Sequence, residues 1–98
     1  MAEGEEDALR IDVWLWRARF FKTRGLALKA AEAGFRLNGA RSEKAHAKVR
    51  PGDALTFRQA GGVRVVRVRG LGARRGPASE AAELYEDLDP PAQAEAEP

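Results

Sequence analysis

The 98-residue chain has no cysteine and one histidine, His46. Without thiols there is no disulfide framework, no thiolate zinc site and no cysteine nucleophile. His46 sits in a polar run and reads as an exposed loop residue. Asp12 and Asp53 have no companion carboxylate motif. Asp12 is expected to pair with a nearby arginine, and Asp53 to serve the Arg50-Pro51-Gly52-Asp53 turn. No P-loop, dinucleotide fingerprint or metal-ligand spacing occurs. We therefore expect no catalytic residues, no metal, no cofactor and no enzyme activity. No apolar run approaches the length of a membrane span. The first residues are acidic and lack the apolar core of a secretory signal. The expectation is a cytoplasmic protein with no membrane partner.

Negative charge is also scarce where it matters. Residues 1–8 carry four acids and no base. Residues 9–76 carry all seventeen bases and four acids, a net of +13. Residues 77–98 carry seven acids and no base. The total of +2 thus hides a basic body between two acidic ends. Base-composition bias would explain the excess of arginine over lysine. It does not explain why acids avoid the middle. A soluble surface needs charge, but mixed signs would meet that need. A body this basic points to a polyanion, and a nucleic acid is the expected partner. Charge does not choose between RNA and DNA. Helix-turn-helix, zinc-finger, basic-zipper, RNP and KH patterns are all missing.

Hydrophobic periodicity organises the body. Leu9 to Phe21 reads as a helix with Ile11, Trp14, Leu15, Ala18 and Phe21 on its core face. Val13, Trp16 and Phe20 form a second apolar strip. It either stacks on bases or packs beneath a C-terminal helix through Leu84, Tyr85 and Leu88. Packing is the expectation, because an exposed Trp-Phe strip favours aggregation. Thr23 is a candidate N-cap for a second helix, Arg24 to Ala33, facing the core with Leu26, Ala27, Ala30 and Ala31. Gly34 stands where a left-handed cap belongs.

The pattern then changes to period two. Phe35-Arg36-Leu37 reads as a strand and Asn38-Gly39 as a tight turn. Residues 40–48 read as irregular. Ala54 to Arg58 and Val63 to Arg69 read as strands, the second with Val63, Val65 and Val68 inward and Arg64, Arg67 and Arg69 outward. The Val65-Val66 doublet admits a bulge. Leu71 to Gly76 reads as a flexible basic link, followed by a short helix over 79–88. The expected class is α+β, with two helices packed on a small, mostly antiparallel sheet and a short C-terminal helix. Its parts are a disordered acidic lead (1–8), a nucleic-acid-binding domain (9–70), a linker and helix packed on it (71–88) and a disordered tail (89–98).

The bases form a constellation. Lys22 and Arg24 flank the start of the second helix, where free backbone N–H groups suit a phosphate. Arg17 and Lys29 lie within one or two turns. Arg36, Arg41, Lys44 and Lys48 follow.

These residues carry a resemblance. Arg10-Ile11-Asp12-Val13-Trp14-Leu15-Trp16, Phe20-Phe21-Lys22-Thr23-Arg24, Gly34, Asn38-Gly39, Lys48-Val49 and Gly52-Asp53 resemble the RNA-binding domain named for ribosomal small-subunit protein four. The Asp-Val-Trp-Leu-Trp and Phe-Lys-Thr-Arg segments, with the run from Arg74 to Glu86, are similar to the bacterial ribosome-associated heat-shock protein fifteen family. The resemblance covers about residues 9–88. It implies an alpha-L RNA-binding fold and a monomer that binds ribosomal RNA of the large subunit. It also implies action on stalled peptidyl-tRNA in ribosome rescue. By position, the implied RNA face is Arg10, Arg17, Lys22, Thr23, Arg24, Lys29, Arg36, Arg41, Lys44 and Lys48. Alternative roles for such a chain are a quality-control factor holding tRNA during nascent-chain tailing, or an accessory subunit of an RNA-modifying enzyme. The chain departs from the pattern in three places. The 34–39 stretch is one residue short, Ala45-His46 replaces Pro-Ser, and the tail is acidic rather than basic.

Overall fold

The computed structural model describes residues 8–88, so the expected disordered ends fall, apart from Ala8, outside the described residues. In chain order the elements are β1 (Leu9–Arg10), α1 (Ile11–Arg17), α2 (Arg24–Glu32), β2 (Phe35–Leu37), β3 (Ala40–Ser42), β4 (Lys48–Val49), β5 (Ala54–Gln59), β6 (Gly62–Val68), α3 (Ala78–Ala81), a 3-10 turn (Ala82–Leu84) and β7 (Tyr85–Asp87). Five strands form one antiparallel sheet in the order β3-β2-β5-β6-β7, and β1 pairs with β4 in a separate two-stranded ribbon. The two main helices cover one face of the sheet. Between them lie Ile11, Trp14 and Leu15 of α1, Ala27 and Ala31 of α2, and Phe35, Leu55, Phe57, Val66 and Val68 of the sheet. The α+β class expected from the sequence is the class observed.

α1 is shorter than the predicted 9–21 helix at both ends, each for a backbone reason. Leu9 and Arg10 are drawn into the ribbon opposite Val49 and Lys48. At the other end Arg19 adopts a left-handed φ of 66°. Its N–H donates to the Trp16 carbonyl and that of Phe20 to the Leu15 carbonyl, both at 3.0 Å. This is a Schellman stop with arginine in the place usually taken by glycine. The turn swings Phe20 off the helix and into the core. There its ring centroid lies 5.9 Å from Trp14, 4.9 Å from Phe57 and 4.6 Å from Tyr85. The second apolar strip therefore does not exist as a strip. Phe20 is core, and Trp16 is half-buried with the Arg75 guanidinium 5.7 Å above its ring. Packing is the outcome, but against Tyr85 of the strand β7 rather than beneath a helix, and Leu88 is 38% exposed.

α2 begins as predicted. The Thr23 hydroxyl accepts the Leu26 N–H at 3.1 Å. The buried stripe is Ala27 and Ala31, so Leu26, about 100° round the helix from Ala27, is 48% exposed rather than inward. Gly34 follows with φ +118°, and a Cβ there would stand 2.8 Å from Arg41 Nη2. Gly34→Ala is expected to lower stability by about 1–3 kcal/mol through backbone strain. That corresponds to a fall in Tm of at least roughly 4–8 °C. A thermal melt checks it, and an unchanged Tm would contradict the assigned conformation.

Residues 40–48, predicted irregular, contain β3 and the first residue of β4. Asn38 (φ 52°) and Gly39 (φ 88°) make a two-residue turn, so Leu37 faces Ala40 and the hairpin closes at once. The short 34–39 stretch places Phe35 inward and Arg36 outward, with Phe35 opposite Phe57.

β6 keeps the predicted burial of Val68 and exposure of Arg67, but its first half has the opposite phase to the one predicted. Val66 and Val68 are buried, Val65 is intermediate and Val63 is 52% exposed. The Val65-Val66 doublet fits either phase. Pairing of Leu55 with Val66, without a bulge, selects this one. Arg64 is thereby turned to the helix side. It is held by Asp87 Oδ1 at 2.7 Å and Gln59 Oε1 at 3.0 Å, and lies 5.0 Å from the Phe20 ring centroid.

The predicted helix over 79–88 is one helical turn and a 3-10 turn, after which β7 takes the free edge of β6. An unpaired β6 edge would expose N–H and C=O groups, and β7 pairs with its last three residues, Val66 to Val68. The predicted flexible link is pinned to the first helix and the turn after it. Trp14 Nε1 donates to the Gly70 carbonyl (2.8 Å), Arg17 Nη1 to that of Gly72 (2.6 Å) and Arg19 Nε to that of Gly76 (2.6 Å). Arg75 Nε donates back to the Trp16 carbonyl at 3.1 Å.

Candidate nucleic-acid interface

The ten sequence-selected positions fall into three groups, with Arg17 apart. The first group is the α1–α2 junction. Lys22, Thr23 and Arg24 are all exposed, and α2 has no acid in its first turn. The first backbone N–H groups of a helix lack intrahelical acceptors, so positive potential from backbone and side chains coincides here. Thr23 satisfies one of those groups through its hydroxyl, which fixes where the helix starts and hence where Lys22 and Arg24 stand. Lys29 is exposed near the other end of the same helix.

The second group surrounds the start of α1. Arg10 and Lys48 are directly opposed across the β1–β4 ribbon. Like charges so placed repel. Asp12 offsets this. Its carboxylate, 4% exposed, accepts Arg10 Nε at 3.0 Å and Nη2 at 2.9 Å in a two-pronged pair, and also the Val13 N–H at 2.8 Å. The expected aspartate–arginine pairing is this one, and it fixes the direction of Arg10. The Ala47 carbonyl accepts the Ile11 N–H at 2.8 Å, which lays the loop against the helix start and puts Lys44 on the turn just before Lys48. Ala45 of the Ala45-His46 departure is buried in that contact, while His46 is exposed.

The third group is on the other side of the sheet. Arg36 and Arg41 are opposite one another on β2 and β3, on the face the helices leave open. Arg41 is paired with Glu43 at 3.0 Å. Arg17 belongs to none of these groups. It is half-buried, and its Nη1 is spent on the Gly72 carbonyl. The structure gives it a holding role that its place in the sequence did not reveal. Arg58 was overlooked by sequence reasoning. It lies on the same open sheet face, two residues along β5 from Thr56, which is opposite Arg36. The alternation Leu55-Thr56-Phe57-Arg58 carried that information.

Asp53 acts as the turn residue expected of it, accepting the Arg50 N–H at 2.9 Å and Asn38 Nδ2 at 3.1 Å. Among the described residues no cluster of three His, Cys, Asp or Glu is placed to hold a metal, and no helix is long and apolar enough to cross a membrane.

No family model matches the chain. It is 44% identical over 88 residues to heat shock protein 15 of Escherichia coli K12, a match covering 89% of this chain and 65% of that protein. It is 35% identical over 89 residues to the heat shock protein 15 homolog of Haemophilus influenzae, covering 91% of this chain and 66% of the relative. The chain thus spans just under two thirds of these relatives. The trimeric structure of Vibrio cholerae heat shock protein 15 superposes with a TM-score of 0.76 at 35% identity, covering 84% of this chain and 83% of that one. The motifs, the fold and these likenesses agree, and the chain belongs to the heat shock protein 15 family.

Proposed function

We propose that the chain is a non-enzymatic RNA-binding protein of the cytoplasm. In this reading it grips ribosomal RNA of the large subunit and acts where a stalled peptidyl-tRNA blocks that subunit. One observation carries the reading: the exposed Lys22-Thr23-Arg24 junction at a capped helix start with no acid in its first turn. Such an arrangement binds phosphate without reading bases. It therefore suits an RNA recognised by shape. Membership of a family named for heat shock supports a stress-linked setting. Each cation group is built within one chain, so a monomer suffices for binding.

Co-sedimentation with purified large subunits tests this. If about four phosphates are neutralised, raising salt from roughly 50 to 200 mM should weaken binding about 50- to 150-fold. Salt-independent binding, or equal binding to small subunits, would sink the reading.

A further inference from the structure

The face of the sheet turned away from the helices is not a neutral back. Arg41, Arg36 and Thr56 stand side by side on β3, β2 and β5, with Arg58 diagonal to Arg36. Together with Val63 they line an open groove of about 250 Å³. The two arginines placed directly opposite one another, Arg36 and Arg41, oppose folding. Arg41 is offset by Glu43, but no carboxylate among the described residues pairs with Arg36 or Arg58. A sheet face that needed only solubility would alternate signs.

We propose that this groove is a second RNA site, holding the phosphodiester backbone of a strand separate from the one at the α1–α2 junction. The proposal rests on the RNA reading above and extends it. One chain then clamps two RNA segments, one on each side of the sheet. Guanidinium groups present a planar fork that matches phosphate. Neighbouring strands lie about 4.8 Å apart, so Arg41, Arg36 and Thr56 form a row about 10 Å long. An RNA strand offers one charge per nucleotide along a continuous edge. An extended acidic peptide turns alternate side chains away and meets such a row poorly. The exposed Val63 at the end of the groove provides an apolar contact for ribose or base.

The test uses the full chain and a fluorescein-labelled ten-nucleotide oligouridylate at about 50 mM salt. The wild-type protein should bind two oligomers per chain. Arg36→Gln with Arg58→Gln should bind one, and the log–log salt slope of the remaining affinity should be that of the junction site. Lys22→Gln with Arg24→Gln should likewise bind one, and all four changes together should bind none. Both pairs are exposed, so both variants should fold, and the Arg36/Arg58 variant, relieved of the Arg36–Arg41 repulsion, should melt no lower than wild type. A single oligomer retained by the Arg36/Arg58 variant and lost by the Lys22/Arg24 variant overturns the groove and leaves RNA binding standing. No binding by the wild-type protein overturns the RNA reading itself. Displacement from the Lys22/Arg24 variant by polyglutamate as effective as by unlabelled oligouridylate overturns the groove's assignment to RNA.

Discussion

Lys22→Gln combined with Arg24→Gln is expected to weaken binding to large ribosomal subunits on the order of 100-fold at low salt. A hydrogen bond to a charged group contributes about 1.5 kcal/mol or more, so two lost contacts remove about 3 kcal/mol. Each 1.4 kcal/mol is about tenfold in affinity. The loss is attributable to binding, because both side chains are exposed and Thr23 still caps the helix. The salt slope should shrink by about 1.4–1.8 for two phosphates no longer neutralised. Sedimentation at two salt concentrations measures both quantities, and circular dichroism confirms that the fold is retained. Full affinity in this variant would remove the junction from the interface. Thr23→Ala separates the contributions. It should cost about 1 kcal/mol of stability through the lost cap while leaving both cations in place.

Truncation after Arg69 is expected to have the largest effect on stability, leaving the domain largely unfolded at room temperature. The cut removes the acceptors for Trp14, Arg17 and Arg19, the guanidinium over Trp16, the Tyr85 ring against Phe20 and the strand on β6. It also leaves Arg64 facing the helix side without Asp87. Burial of one aromatic side chain alone is worth about 1.5–3 kcal/mol. Stripping the partner from a half-buried cation adds a further loss of about 1–3 kcal/mol. Small domains have only about 5–15 kcal/mol in all. Tryptophan emission should move to the red, since Trp14 is fully buried in the intact fold and Trp16 half-buried. An unchanged melting temperature and emission maximum would show that residues 70–88 are dispensable to the fold.

Local signals were legible in the sequence and competing ones were not. Thr23 as a cap, Asn38-Gly39 as a turn, Asp53 as a turn acceptor and Asp12 as an arginine's partner all depend on nearby residues, and each is found. The end of α1 was not legible. Arginine rarely adopts the left-handed stop that Arg19 makes, and the apolar spacing runs on to Phe21 as though the helix continued. The phase of β6 depended on which of Val65 and Val66 meets Leu55, a choice made across the sheet. Residues 85–87 have helix-compatible neighbours, yet the open edge of β6 claims them. The site divides in the same way. The Lys22–Arg24 junction is contiguous in sequence and was readable. The contact of Arg17 with Gly72 comes from far along the chain and was not readable, whereas Arg58 was overlooked although the alternation of β5 carried its position.

The pinned segment after β6 gives the arginine excess a double meaning. Arg17, Arg19 and Arg75 act as mortar, joining backbone that has no ladder of its own by direct donation to carbonyl oxygens. Such charge–dipole bonds are short-ranged, whereas attraction to a polyanion acts through the solvent and is screened by salt. Cohesion and grip therefore draw on one residue type but respond to different variables. On the proposed RNA-binding reading, a rise in ionic strength strips the nucleic acid away and leaves the protein itself standing, ready to bind again when the salt falls.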